Sequence, residues 1–354
     1  MGKYKGKILI SASGTGGHLI PAMQLANILK NDNFDIFFAA KDLSKKEIFD
    51  KTLNFVDISS DIPRNLFFIF KIFKGFLQSV FLIFKYKPDI IVGFGSFHTF
   101  PVILAGYVLR KKIVLFDSNI LLGKVNKFFS KKVKFVATQF PILNQKNAVL
   151  VKKLPWYVAN ESVFLKDFKK NIFTILVFGG SQGSKIINEN FLKILKDLYK
   201  KITFQVIHIT GEDSQHFKKI YDEMKIINYV KKFEKNIYSL YRNADLVISR
   251  SGAITIAELL NFNKPAILIP FKNATDNHQL KNAEFIQNNY KFVKIIEEDH
   301  LNQLSLLKEI EFFINDNFKN LKIFKENILS AMMKEEKDQN VTTIQNVINK
   351  VLYE

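Results

Sequence analysis

The feature that most limits how this chain can fold is a strand, glycine turn and helix that occur twice, about half a chain apart. The first copy is Lys7-Ile8-Leu9-Ile10-Ser11, the turn Ala12-Ser13-Gly14-Thr15-Gly16-Gly17, and a helical pattern over residues 21–29. The second is Thr174-Ile175-Leu176-Val177-Phe178, the turn Gly179-Gly180-Ser181-Gln182-Gly183, and an amphipathic stretch over residues 185–198. Short apolar runs separated by longer 3.6-period segments make βαβ units, and these make a parallel sheet with helices on both faces. Further strands are expected at 35–39, 89–92, 113–116 and 133–137, then at 205–209, 245–249 and 266–270.

A chain of 354 residues exceeds what one core usually holds. The predicted fold class is therefore α/β, with two Rossmann-like domains facing across a cleft. Ligands in such sheets bind beyond the carboxyl ends of the strands. The expected boundaries are 1–158 and 159–335, with Pro155 and the polar stretch 160–171 near the junction. In the tail, 336–354, Val341, Ile344, Val347, Ile348 and Val351 fall at helical spacing. That face needs a groove, and packing back near the N-terminal domain is expected.

Composition narrows the chemistry. No Cys is present, which excludes disulfides, thiol nucleophiles, Cys-ligated zinc and iron–sulfur clusters. The net charge of +19 suits an anionic membrane leaflet, nucleic acid or an acidic substrate. No helix-turn-helix, RNA-recognition or zinc-finger pattern is visible, so nucleic acid is not an expected partner. The apolar run Ile8-Leu9-Ile10 behind the basic start is too short for a secretory signal, and a cytoplasmic protein is expected.

Both glycine turns suit phosphate, because glycines admit close backbone approach and helix starts offer unpaired N–H donors. Gly14-Thr15-Gly16-Gly17-His18 is not the dinucleotide fingerprint, since Leu19 stands where a third glycine would be. The second turn is not a nucleoside triphosphatase loop: Lys185 follows Ser184 and Ile186 occupies the Ser/Thr position. A third turn, Ser251-Gly252-Ala253, opens a helix with Glu258 about one turn in. A carboxylate there can accept both hydroxyls of a ribose while the turn's N–H groups face phosphate. Asp276, His278 and Gln279 form a polar cluster suited to sugar hydroxyls.

The segments GTGGHLIPAMQLA, VGFGSF, FGGSQGSKIIN, SRSGAITIAEL and PFKNATDNHQLKNA, in this order, resemble the MurG family. These are UDP-N-acetylglucosamine transferases of peptidoglycan synthesis with the two-Rossmann GT-B fold. The resemblance implies an inverting transfer of N-acetylglucosamine from UDP-GlcNAc to the muramyl 4-hydroxyl of lipid I, an undecaprenyl-diphosphate-linked acceptor, giving lipid II. The N-terminal domain would receive lipid I and the C-terminal domain the donor. By motif match, Ser181 and the N–H groups of Gly252, Ala253 and Ile254 contact the donor. Glu258 holds its ribose, and Gln279 with Asp276 its sugar. Thr15, Gly16 and Gly17 face the acceptor diphosphate or the transferred sugar, and Asn119 matches the end of the family's His-Glu-Gln-Asn motif. No Asp-any-Asp triplet occurs, so helix N-termini are expected to stabilise the leaving diphosphate, with no metal or other cofactor.

His18 is the leading general base, since an unperturbed imidazole with a pKa of about 6.5 is neutral and basic in cytoplasm. Its alternative role is to orient the loop or acceptor, and Asp117 is the rival base. The chain departs from the family at Phe116-Asp117-Ser118-Asn119, at Lys153-Leu154-Pro155-Trp156-Tyr157, where an arginine is lost to Tyr157, and at Glu234, where an apolar residue usually lines the uracil pocket. A UDP-sugar transferase acting on another lipid, such as diacylglycerol, and a non-catalytic UDP-sugar-binding partner are the alternative readings.

Residues 66–84, LFFIFKIFKGFLQSVFLIF, are long enough to span a bilayer but contain Lys71 and Lys74. A charge at mid-membrane costs at least about 2.5 kcal/mol. Lys71, Lys74, Gly75, Gln78 and Lys85 fall on one narrow helical face, opposite a wide face that includes Phe70, Phe73 and Phe81. A helix lying in the interface fits, as does a buried sheet-covering helix with one wet stripe. With the family's lipid acceptor, the expected location is peripheral, at the cytoplasmic face of the cell membrane, on an anionic inner-membrane surface.

Overall fold

The structure is a computed structural model that describes residues 5–14, 16–63, 67–142, 145–152, 163, 165, 167–180, 183–234 and 236–354. The chain divides into two compact units, Met1–Leu154 with Asp338–Glu354, and Pro155–Lys337.

The first unit runs β1 (Lys7–Ser11), α1 (Gly16–Asn31), β2 (Asp35–Ala40), β3 (Asn54–Asp57), α2 (Phe67–Tyr86), β4 (Ile90–Gly93), α3 (Phe100–Val108), β5 (Lys112–Asp117), α4 (Lys124–Phe129), β6 (Phe135–Thr138) and β7 (Ala148–Leu150). Its seven strands are all parallel, in the order β3-β2-β1-β4-β5-β6-β7. Ile8, Leu9 and Ile10 of β1 are fully buried, as a central strand covered on both faces requires.

The second unit runs β8 (Phe173–Phe178), α5 (Lys185–Lys201), β9 (Phe204–Ile209), α6 (Ser214–Glu223), β10 (Asn228–Lys231), α7 (Ile237–Asn243), β11 (Leu246–Ser249), α8 (Ala253–Asn261), β12 (Ala266–Leu268), α9 (His278–Asn289), β13 (Val293–Ile295) and α10 (Gln303–Lys337). Its sheet, β10-β9-β8-β11-β12-β13, is parallel and repeats the first order. In each sheet the strand order reverses beside the strand that precedes a glycine turn, at β1/β4 and at β8/β11. Such reversals open the crevice where ligands bind.

The last helix, α11 (Ile344–Tyr353), belongs to the first unit and packs on β4, β5 and β6. It buries Ile344, Val347, Ile348 and Val351. Its approach is fixed by Val151, which pairs in parallel with Thr342, and by Lys112 Nζ, which donates to Leu352 O at 2.9 Å.

Helix α2 sits differently from the narrow-stripe expectation. Gly75 and Ser79 are buried, and Gln78 Oε1 accepts from Ser59 N at 2.8 Å. A Cβ on Gly75 would lie 1.8 Å from Ser59 O, so only glycine permits this approach. The small and polar residues therefore face the domain, together with Leu82 and Ile83 of its core. Phe67, Phe70, Phe73, Leu77, Phe81 and Phe84 face outward, with Phe70 at 71% and Phe81 at 69% exposure. Lys71 and Lys74 are exposed beside them.

Candidate functional site

At the β1/β4 reversal, the His18 imidazole lies between two glycine backbones. Gly14 and Gly95 both hold left-handed φ values, 99° and 78°. A Cβ on Gly95 would stand 3.4 Å from His18 Cδ2 and 3.5 Å from Nε2, and one on Gly14 would stand 3.9 Å from Nδ1. Gly16 and Gly17 open α1 just before it. Ser96 follows with φ 74° and ψ 145°, a strained backbone for a non-glycine residue. It is held by Thr99, whose hydroxyl donates to Gly95 O at 2.8 Å and Ser96 O at 2.9 Å.

Asp117, at the end of β5, is 4% exposed, and its carboxylate is committed to its own loop. Oδ1 accepts from Asn119 N at 3.1 Å and Asn119 Nδ2 at 3.4 Å. Oδ2 accepts from Gly123 N at 2.8 Å and Asn126 Nδ2 at 3.0 Å. Asn126 also donates to Phe116 O at 2.8 Å and approaches Gly95. Ser118 Oγ reaches Gly17 O at 3.4 Å. The loops after β1, β4 and β5 are thereby tied into one cluster around His18.

In the second unit, Gly183 keeps a φ of 72° and faces Gly211, where an added Cβ would be 2.6 Å from Gly211 Cα. This packs the β8 turn onto the loop after β9. At the end of β11, Arg250 is buried: Nη1 donates to Ile269 O at 3.2 Å, Pro270 O at 3.3 Å and Glu298 Oε2 at 2.9 Å. Ser251 Oγ donates to Gln279 O at 2.8 Å, and Gln279 Oε1 accepts from Phe271 N at 3.0 Å. The turn that carries Gly252, Ala253 and Ile254 is thus joined to the segment that carries Gln279. Asp276 is exposed on that segment, with a φ of 54°. The first intrahelical bond of α8 runs from Ile256 N to Gly252 O, and Gly252 brings no side-chain cap, so the N–H groups of Ala253, Ile254 and Thr255 lie ahead of the helical ladder.

Glu258 lies on α8, 4% exposed, and accepts from the Tyr241 hydroxyl at 2.9 Å. Burial pushes its carboxyl up to about 8, against the opposing pull of that hydrogen bond. Glu234 is tied back rather than presented: Oε2 accepts from Tyr229 OH at 2.8 Å and Lys231 Nζ at 2.9 Å, and Oε1 from Asn236 N at 3.0 Å. Burial pushes this carboxyl up, but the three donors outweigh it and hold it below the usual range.

Sequence reasoning gave no role to Gly95, Ser118, Asn126, Tyr241 or Arg250. VGFGSF and SRSGA contain the signal for two of them; the others depend on tertiary contacts. Thr15, Ser181 and residues 153–157, with the lost arginine position at Tyr157, lie outside the described residues.

Residues 8–138 match the glycosyltransferase family 28 N-terminal domain and residues 174–339 its C-terminal domain. The chain is 38% identical to the UDP-N-acetylglucosamine--N-acetylmuramyl-(pentapeptide) pyrophosphoryl-undecaprenol N-acetylglucosamine transferase of Protochlamydia amoebophila, over 87% of this chain and 88% of that one. The chain belongs to the MurG family. A relative with the same name from Natranaerobius thermophilus is 30% identical over 98% of this chain and 99% of its own length. The crystal structure of Acinetobacter baumannii MurG covers 99% of this chain and 100% of that one, at 24% identity and a TM-score of 0.76. The MurG family fold is thus the fold of this chain: two parallel-sheet α/β domains of the GT-B class, in a glycosyltransferase.

Proposed function

We propose that this chain transfers N-acetylglucosamine from UDP-GlcNAc to the muramyl 4-hydroxyl of lipid I, forming lipid II with inversion at the anomeric carbon. The carrying observation is that both sheets place a glycine turn at their reversal, with His18 beside Gly14 and Gly95 in one unit and, in the other, a buried Glu258 bonded to Tyr241 on the helix that follows β11.

In this reading the second unit holds the donor. Ribose hydroxyls donate to Glu258, and Ser181 with the N–H groups of Gly252, Ala253 and Ile254 receives the diphosphate. Gln279 and Asp276 contact the sugar. His18 takes the proton as the acceptor oxygen attacks and the C1–O bond to UDP breaks, and the leaving charge is met by helix-start N–H groups. Asp117 acts through position: with four donors on its carboxylate, it fixes Asn119 and the loop beside Gly17. Thr15, Gly16 and Gly17 line the acceptor side.

The outward Phe face of α2 is the proposed contact with the cytoplasmic leaflet. By length and composition the helix is long and apolar enough to cross a membrane. Its Gly75, Ser79, Leu82 and Ile83 side is committed to the protein interior, which supports lying on the surface over crossing it. Lys71 and Lys74 would sit at headgroup level, each near-surface lysine adding roughly 1 kcal/mol on an anionic leaflet.

Calorimetric titration with UDP, paired with a lipid I turnover assay, tests the division of labour. Glu258→Ala should weaken UDP binding, and His18→Ala should bind UDP normally but turn over slowly. Equal UDP affinity in Glu258→Ala and wild type refutes the ribose role.

A further inference from the structure

The loop after β9 is tied to a buried chain of polar side chains that the reading above leaves unused. Asn188 of α5, His208 of β9 and Tyr221 of α6 are all fully buried. His208 Nε2 lies 3.0 Å from Asn188 Oδ1, and His208 Nδ1 lies 2.9 Å from the Tyr221 hydroxyl. Asn188 Nδ2 donates to Thr210 O and to Glu212 Oε1, both at 2.9 Å.

These contacts allow one proton arrangement. Thr210 O and the Glu212 carboxylate only accept, so the Asn188 amide turns its nitrogen to them and its oxygen to His208. His208 then carries its hydrogen on Nε2, and its Nδ1 accepts from Tyr221. Burial pushes the imidazole down to about 3 and the Tyr221 phenol up, so both keep these neutral forms. A fully paired buried network favours one arrangement of the elements it joins, because any other leaves a buried polar group unpaired.

The chain ends where the glycine turn of β8 rests. Thr210 O, the acceptor of the Asn188 amide, lies 2.7 Å from where a Cβ on Gly183 would stand, and Gly211 Cα lies 2.6 Å from it. Gly183 N in turn donates to Gly180 O at 3.1 Å, which closes the turn. Displacing Thr210 therefore removes the support of the turn to which the proposed function gives the donor's diphosphate.

We propose that His208 and Asn188 are positioning residues for that diphosphate: through Thr210 they set the β8 turn, without touching substrate themselves. This inference rests on the UDP-sugar reading.

The test compares the affinities of UDP and uridine, by ligand-detected NMR titration, with the KM of each substrate. His208→Leu and Asn188→Leu should each bind UDP about 10-fold more weakly. Each should raise KM for UDP-GlcNAc and leave KM for lipid I alone. Uridine, which has no phosphate, should bind them as it binds wild type. His208→Gln again offers an acceptor and a donor, and should recover UDP affinity to within about 3-fold of wild type. Unchanged UDP affinity in either leucine variant, equal losses for UDP and uridine, or a glutamine variant no better than leucine overturns the proposal. If the leucine variants do not fold in a thermal melt, the imidazole ¹⁵N spectrum of wild type decides. An Nε2–H tautomer whose resonance shifts with UDP but not with uridine is expected; an Nδ1–H tautomer, or a resonance indifferent to UDP, overturns the assignment. UDP binding to wild type that the leucine variants keep in full removes this inference alone, whereas no UDP binding to wild type removes the functional reading with it.

Discussion

The Tyr241 hydroxyl donates to Glu258 Oε2 across 2.9 Å, a phenol and a carboxyl that are both buried within the second unit. Burial raises Glu258 from 4.5 to about 8, so the folded state favours its protonated form. That contribution to stability is fully present below about pH 4.5 and is lost as pH rises through about 8. Urea midpoints should therefore fall over this window in wild type and fall less in Glu258→Gln. Ribose hydroxyls donating to the carboxylate favour ionisation. UDP binding near pH 7 should then release protons, visible as a dependence of the binding heat on buffer ionisation enthalpy, and absent in Glu258→Gln.

His18→Ala should lower kcat by about 100- to 10,000-fold, the usual range for a lost general base, with UDP affinity unchanged. The acid limb of the pH–rate profile should disappear with it. A variant that keeps that limb assigns the proton transfer elsewhere.

Asp117→Asn tests positioning against proton transfer at the rival base. The substitution turns an NH₂ toward N–H donors that now have a carboxylate, so stability should fall by about 1–3 kcal/mol. Activity should fall too, but the pH–rate profile should keep its shape. A lost limb in this variant would make Asp117 the base.

Arg250→Lys should loosen the segment that carries Gln279. Lysine lacks the planar guanidinium that lies 5.2 Å from the Phe271 ring centroid while its Nη1 reaches Ile269 O, Pro270 O and Glu298. The expected outcome is a raised KM for UDP-GlcNAc, with kcat changed less and a lower Tm.

Membrane binding should depend more on Lys74 than on Lys71. Lys71 Nζ sits 2.5 Å from Asp61 Oδ2, which neutralises part of its charge and holds the Asp61 carboxyl well below its usual range. No ion pair to Lys74 is found among the described residues. Sedimentation with anionic liposomes should show a larger loss for Lys74→Glu than for Lys71→Glu, and a loss for Phe70→Ser with Phe81→Ser at any salt concentration. Salt-insensitive lysine variants would contradict the interfacial placement.

The central strands were legible because burial on both faces makes them continuous apolar runs: β1, β2, β4, β5, β6, β8, β9, β11 and β12 all lie where the sequence predicts strands. The strands not foreseen, β3, β7, β10 and β13, are the four sheet edges. Their short, half-polar sequences, such as Asn54-Phe55-Val56-Asp57, carry little periodicity because one side has no neighbour to pack against. The α2 wheel misled for a related reason. Gly75 and Gln78 read as a wet stripe, but a missing side chain and one hydrogen bond to Ser59 make them the face that packs.

The glycine turns and Glu258 were legible as local patterns. The surroundings of His18 were not, because Gly95 and the Asn126–Asp117 contact reach it from distant strands. Tyr241 gave no local signal either: a tyrosine near a short helix is ordinary until its burial and its bond to Glu258 are known.

The most direct measurement supplies the purified protein with UDP-GlcNAc and lipid I and determines the linkage of the product. A β-1,4-linked disaccharide on the undecaprenyl diphosphate, with one UDP released per transfer and turnover sharply reduced in His18→Ala, is the predicted result. Release of UDP without a new glycosidic bond, or wild-type turnover in His18→Ala, would contradict it.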